Sequence, residues 1–270
     1  MKNHGLENEF EIINELNGKY FKDLSVFWQN RIKQLHSKVV DEDVIECYKL
    51  VYNQKADIAV KVHGYKYSIS IKSGYFVSVH SEGLSSFTGF LRSLGISEEL
   101  IRILKLYHYG DGTIDGTGEV RKSLVEIKEE MWEDIIKFNE AVNDPAILRH
   151  IIIRFLCTGT PYQRSFVSHI YSGTMSYGYL IDAKTLIDYI CSGYPTGTTS
   201  IHFGPFIYTP AYRGLENYDS SNVKRYYLNI KWPSMNRDIR DAKDWLFIFK
   251  TKERINNKDE NQNEEEDKNM

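Results

Sequence analysis

The sequence has few cysteines and no long apolar run, and both absences limit what the chain can be. The three cysteines form neither a CxxC motif nor a Cys/His pattern: Cys47, Cys157 and Cys191. An odd number without a framework indicates reduced thiols. The N-terminus lacks the apolar core of a signal peptide, and the most apolar stretch, residues 146–157, is interrupted by two arginines and a histidine. We therefore expect a soluble, cytoplasmic protein with no membrane partner.

Glycine-rich nucleotide-binding motifs are also missing, since neither GxGxxG nor GKS/T occurs. The glycine-rich stretch at residues 107–123, YHYGDGTIDGTGEVRKS, lacks the aspartate spacing and closing glutamate of an EF-hand. We expect a tight loop there. It either serves only the fold or lies against a nucleic-acid backbone, where Arg121 and Lys122 would reach phosphates.

The chain has no excess of positive charge, and its formal net charge is −3. Residues 251–270 hold four basic and seven acidic residues, so the rest of the chain is neutral overall. A neutral body can still carry a basic cleft beside acidic metal ligands. Net charge therefore neither supports nor excludes a nucleic-acid partner, and the polar tail at 251–270 is predicted to be disordered.

What the chain does have is the composition of an ordered globular protein. Its 270 residues are 41% hydrophobic and 13% aromatic, which is enough for one large domain or a domain with a smaller companion. Helical patterns dominate residues 1–157, which we expect to form an α/β core. Glycine, tyrosine and strand patterns dominate residues 158–250, which we expect to form a β-rich part that contacts substrate or a partner.

The most informative stretch runs from Lys55 to Glu82, KADIAVKVHGYKYSISIKSGYFVSVHSE. It predicts three short strands, with a His63-Gly64 turn between the first two. Alternation places Ser70 and Lys72 on one face of the middle strand. Asp57 opens the first strand, so the hairpin brings a carboxylate and a lysine into the same neighbourhood.

An acid and a lysine so placed suit metal-assisted phosphodiester chemistry. A Mg²⁺ ion takes carboxylate oxygens and waters, activates a water for attack, and leaves a lysine to stabilise charge on phosphorus. A second carboxylate is available from Glu9, on an amphipathic helix predicted over residues 5–17. The alternative for Glu9 is a boundary residue near the helix N-terminus, favoured there by the helix dipole.

The order of these residues resembles the PD-(D/E)xK nuclease superfamily, which includes type II restriction endonucleases. The likeness covers residues 5–82: a helix with GxxxE, an aspartate that opens a strand, a turn, and a strand that ends in lysine. It implies a restriction-endonuclease-like mixed β-sheet flanked by helices, and Mg²⁺- or Mn²⁺-dependent cleavage of DNA. Asp57 would be the central metal ligand, Lys72 the catalytic lysine and Glu9 the helix carboxylate.

One departure from this pattern bears on activity. Ser70 stands where the acid of (D/E)xK belongs, and a serine supplies no second negative charge. Either another acid compensates or the site is inactive. Glu9 is the first candidate, and Glu82 is another, because it shares a strand face with His80 and could turn inward to bind metal.

The second half adds candidate contacts to substrate. Arg213 lies in a segment between the last two predicted strands, and Lys231 lies on a basic and aromatic face of the last one. Such a face is either simply solvated or suited to stacking and phosphate contact. Symmetric cutting of DNA would need a homodimer. The alternatives to an endonuclease are a catalytically inactive nucleic-acid-binding module and a protein-interaction module with a tyrosine-rich surface.

Overall fold

In the computed structural model, the chain is described over residues 4–50, 54–74, 77–118, 120–163, 165–194, 199–213 and 221–248. The α-helices are α1 His4–Leu16, α2 Val26–Leu35, α3 Leu84–Ser93, α4 Glu98–Tyr109, α5 Leu124–Glu130, α6 Trp132–Val142, α7 Pro145–Ile153 and α8 Ala183–Cys191, followed by α9 over 235–248. The strands are β1 Glu46–Lys49, β2 Ile58–Val62, β3 Tyr65–Lys72, β4 Val77–Gly83, β5 His169–Gly173, β6 Gly178–Asp182, β7 His202–Phe203, β8 Phe206–Pro210 and β9 Tyr227–Trp232.

The first sheet is mixed and has the strand order β1-β2-β3-β5-β6. Its neighbours are antiparallel except for β3 and β5, which run parallel and place Lys72 opposite Ser172. The connection between these two parallel strands is long, as parallel pairing requires, and it contains β4 and helices α3 to α7.

The second sheet is antiparallel, with the order β4-β9-β8-β7. The chain therefore leaves the end of β3 in one sheet and enters β4 in the other. Each sheet combines strands that precede residue 157 with strands that follow it. Lys72, the last residue of β3, lies where the chain leaves the first sheet for the second.

The β2–β3 hairpin is set by its turn. His63 and Gly64 both have positive φ, at 52° and 77°, which is the backbone of a two-residue turn that matches the twist of the strands. The resulting register pairs Ile58 with Ile69, and the backbone N–H of Asp57 donates to the Ile69 carbonyl at 2.9 Å. Asp57 thus lies beside the last residues of β3.

Two apolar clusters hold the sheets and helices together. The smaller one packs α1 and α2 on the first sheet, around Ile12, Trp28 and Ile32. The larger one fills the space around the second sheet and the middle helices, with Phe155 and Trp232 fully buried. Burial of such side chains is worth about 1.5–3 kcal/mol each, so the helices on each side fix the sheets that carry the site.

Several details differ from the sequence patterns. The hydrophobic spacing of residues 123–141 predicts one helix, whereas the structure divides this stretch at Met131 into α5 and α6. Alternation in the last predicted strand would place Tyr226 on its apolar face and Arg225 on its basic face. In the structure both belong to a 3₁₀ turn, Val223–Tyr226, and Arg225 is buried. The tail at 251–270 lies outside the described residues. Among the helices of the described ranges, none is both long and apolar enough to cross a membrane.

Candidate active site

The structure brings Asp57, Ser70 and Lys72 together. The Oδ2 atom of Asp57 accepts hydrogen bonds from Ser70 Oγ at 3.0 Å, the backbone N–H of Ile71 at 2.6 Å and Lys72 Nζ at 3.2 Å. Lys72 Nζ also donates to its neighbour's carbonyl, Ile71 O, at 3.0 Å. The ammonium and the carboxylate are therefore held as a fixed pair that remains partly open to solvent, with side chains 18% and 26% exposed.

The other carboxylate oxygen is the available one. Asp57 Oδ1 accepts no hydrogen bond from the described residues, whereas Oδ2 takes three donors. Ser70 is buried and donates to the aspartate, so it adds a hydrogen bond but no charge where an acid would have stood. The site core is one carboxylate, one hydroxyl and one ammonium.

Glu9 lies on α1 and pairs with β1 rather than with the Asp57 carboxylate. Its Oε2 atom is 2.6 Å from Lys49 Nζ, and its side chain is 16% exposed. Lys49 is opposite Ile58 in the β1–β2 register, so this ion pair lies on the strand next to β2. Neither Asp57 nor Lys72 is hydrogen-bonded to Glu9 in the described structure.

Glu82 is buried and fully engaged. Arg154 donates to both of its oxygens, at 2.9 and 2.6 Å, and the His80 ring is 2.8 Å from Oε1. Burial alone would raise the pKa of Glu82, but the hydrogen bonds from Arg154 and His80 outweigh it and lower the pKa to about 2. In this arrangement Glu82 is a buried anion that positions its neighbours.

Lys55, two residues before Asp57, contacts the His80–Glu82 pair through His80, and the sequence reasoning missed it. Its Nζ donates to the Val79 carbonyl at 2.8 Å and lies 3.4 Å from His80 Nδ1. Burial, reinforced by the charge of Lys72, lowers the pKa of Lys55 to about 7. The one local signal was the two-residue spacing of Lys55 and Asp57, which would place both on one side of an extended segment; in the structure residues 55–57 form a bend.

Lys55, Asp57 and His80 line one open cleft of about 530 Å³, together with Tyr162 and Gln163. The loop that carries Tyr162 and Gln163 is tied to the cleft wall, because the hydroxyl of Ser165, which follows it, accepts the backbone N–H groups of residues 55 and 56 at 2.8 and 3.1 Å. A phosphodiester has room to enter this cleft beside the Asp57–Lys72 pair.

The glycine-rich loop residues lie in a different part of the molecule. Arg121 is buried, and its guanidinium donates to the Tyr107 and His108 carbonyls at 3.1 and 3.4 Å. Lys122 is exposed and pairs with Glu130 at 2.6 Å. Arg121 therefore holds its loop against α4, while Lys122 is directed to the surface.

The two candidates from the second half are placed differently from each other. Arg213 is exposed and lines a cavity of only about 20 Å³ together with Arg121. Lys231 on β9 is paired with Ser78 on β4, and Ser78 lines the large cleft. Of these two, Lys231 is thus the one whose strand partner lines the same cleft as Asp57.

The described residues contain no group of three or more His, Cys, Asp or Glu side chains that could hold a metal ion. Mg²⁺ does not require such a group, because it keeps several waters and is often bound by one or two carboxylates plus substrate phosphates. Asp57, with one oxygen free of donors among the described residues, fits that mode of binding.

Comparison with known proteins bears on the fold. No protein-family model matches the chain, and no curated protein matches it. A crystal structure of restriction endonuclease MspI in complex with its cognate DNA is similar, with a TM-score of 0.54 and 13% sequence identity, over 86% of this chain and 93% of that one. The chain therefore has a mixed α/β fold like that of a restriction endonuclease, as the sequence predicts.

Proposed function

We propose that this protein is a Mg²⁺-dependent endonuclease that cleaves phosphodiester bonds in DNA, in a restriction or phage-defence role. The observation that carries the proposal is the contact of Asp57, Ser70 and Lys72 on one hairpin, within a fold similar to that of a restriction endonuclease. The similar solved structure is a DNA complex, and that favours DNA as the substrate.

Each residue of the pair has a defined task. Asp57 would hold the cation, since its Oδ1 accepts no hydrogen bond from the described residues. A bound Mg²⁺ or Mn²⁺ would polarise the phosphate and lower the pKa of an attacking water. Lys72, fixed by Asp57 and the Ile71 carbonyl, would stabilise the negative charge that grows on the phosphoryl oxygens.

The remaining predicted residues, apart from the buried Arg121, fall into two groups. Lys122, Arg213 and Lys231 are proposed contacts to the DNA backbone, which position the duplex without reading its sequence. Glu9 would have to leave Lys49, and Glu82 would have to leave Arg154, before either could bind metal. Asp57 is therefore the carboxylate that would hold the metal ion. A homodimer would place two such sites across a duplex for symmetric cutting.

Replacement of Lys72 by methionine tests the proposal. Loss of one preorganised donor to developing charge is expected to lower the single-turnover cleavage rate by about 10²–10³-fold. Lys66 on the same strand is exposed, so Lys66→Met is the matched control and should cleave like the wild type. The measurement is plasmid cleavage in Mg²⁺ with enzyme in excess. Cleavage by Lys72→Met at the wild-type rate would show that Lys72 takes no part in the reaction.

A second candidate function is a nuclease-like module that binds nucleic acid without cutting it. Ser70 favours this candidate, because it leaves the hairpin with a single carboxylate. Such a module would bind DNA with an affinity that falls as salt rises, and Mg²⁺ would produce no turnover.

A further inference from the structure

We infer that Lys55, in its ammonium form, contacts the scissile phosphate directly, from the wall of the cleft that Asp57 also lines. This inference rests on the proposed function and assigns a substrate contact within the same site. The first observation behind it is a chain of hydrogen bonds that connects Arg154, Glu82, His80 and Lys55 in that order.

The donors and acceptors in this chain can be assigned. Glu82 is a carboxylate held by Arg154, so it can only accept. His80 must then donate from Nε2, and burial favours its neutral form, since it lowers the pKa of His80 against the opposing effect of Glu82. A neutral ring protonated at Nε2 carries a lone pair on Nδ1, which accepts from Lys55 Nζ.

This assignment leaves Lys55, in its protonated form, with one unused donor. An ammonium has three N–H groups, and the Val79 carbonyl and His80 Nδ1 take two of them. No further acceptor among the described residues takes the third, and Lys55 lines the open cleft. The remaining N–H is therefore available to an oxygen anion that enters the cleft.

Both ends of Lys55 are fixed before any substrate arrives. At the backbone, its N–H donates to Ser165 Oγ at 2.8 Å, and at the tip, Nζ is anchored on β4. A donor held in place this way costs little reorganisation when charge develops on the phosphate. An exposed lysine on a mobile stem would lose more conformational entropy on contact.

The charges around Asp57 also favour contact with an anion. Asp57 is one negative charge beside two ammonium groups, Lys72 and Lys55, while Glu82 is neutralised by Arg154. Before any cation binds, and with both lysines protonated, Asp57, Lys72 and Lys55 together carry one net positive charge, which attracts a phosphodiester. An acid in the place of Ser70 would cancel that excess.

The test measures DNA binding and cleavage in parallel. Binding of a duplex is titrated in EDTA at several salt concentrations, and single-turnover cleavage is measured in Mg²⁺, for the wild type, Lys55→Met and the surface control Lys66→Met. Loss of one phosphate contact should reduce the slope of log K against log salt by about 0.9. The cleavage rate of Lys55→Met should fall by roughly 10²-fold, and Lys66→Met should match the wild type in both.

The outcomes separate this inference from the proposed function. If Lys55 only supports the fold, Lys55→Met will lower the melting temperature but keep the wild-type salt slope, and that result overturns the inference. Lys55→Gln is a second variant if Lys55→Met does not fold. If the wild type binds DNA without cutting it, the proposed function is wrong. The difference in salt slope between the wild type and Lys55→Met still tests whether Lys55 contacts a phosphate. If the wild type binds no DNA, both the proposed function and the Lys55 contact are wrong.

Discussion

Replacement of Asp57 by asparagine is expected to lower Mg²⁺-dependent DNA cleavage by about 10³-fold or more. The amide keeps the shape of the side chain but removes the negative charge that would hold the cation, and a bound cation contributes several kcal/mol to the transition state. Each 1.36 kcal/mol corresponds to a factor of about ten in rate. Single-turnover cleavage of a plasmid at saturating Mg²⁺ measures the effect.

The control for this replacement is a carboxylate away from the cleft. Asp41 is exposed in the loop before β1, and Asp41→Asn should cleave at the wild-type rate. In Asp57→Asn, the oxygen of the new amide can still accept hydrogen bonds from donors that now bind Oδ2, so the melting temperature should change little. If Asp57→Asn is folded and cleaves as fast as Asp41→Asn, Asp57 does not bind an essential metal.

Replacement of Arg154 by methionine is expected to lower the free energy of unfolding by about 3–5 kcal/mol. Arg154 and Glu82 form a buried pair with side chains 8% and 1% exposed, and removal of one partner leaves the other charge uncompensated in the interior. The same change leaves His80 as the one side-chain hydrogen-bond partner of Glu82 among the described residues. Urea unfolding monitored by tryptophan fluorescence measures the loss.

A matched control lies on the preceding helix. Arg149 on α7 forms an exposed pair with Asp188, and such surface pairs contribute about 1 kcal/mol or less, so Arg149→Met should unfold close to the wild-type midpoint. Combining Arg154→Met with Glu82→Gln should recover part of the stability, since the buried negative charge is then gone. An Arg154→Met protein as stable as Arg149→Met would show that the buried pair contributes little.

The part of the site that depends on local sequence was predictable. Alternation in β3 and the His63-Gly64 turn together place Asp57 beside Lys72, because a two-residue turn fixes which residues of the two strands are paired. The structure has that register and that contact. The helix that carries Glu9 was also predicted from its spacing, and it forms as α1.

The part that depends on distant contacts was not predictable. Glu82 and Arg154 are 72 residues apart in sequence, and no local pattern indicates that two charged side chains will be buried against each other. The partner of Glu9 is likewise set by the packing of α1 on β1. Lys55 has a local signal in its distance from Asp57, but its contacts lie on β4 in the other sheet.

Ser70 is the residue on which the two candidate functions differ. As the donor to Asp57, it keeps the carboxylate in place without adding charge. An active enzyme must then bind its cation with one protein carboxylate plus waters and phosphate oxygens, which Mg²⁺ permits. An inactive module would keep the same hydrogen bond and bind DNA alone.

Cleavage by the purified wild-type protein is the most direct test of this account. The protein is incubated with plasmid and genomic DNA of diverse sequence in Mg²⁺, in Mn²⁺ and in EDTA, and the products are separated on a gel. The account predicts nicked or linear plasmid in both metals and intact DNA in EDTA. DNA that remains intact with both metals, under conditions in which the protein binds it, would contradict the assignment of the Asp57–Lys72 pair as a nuclease site.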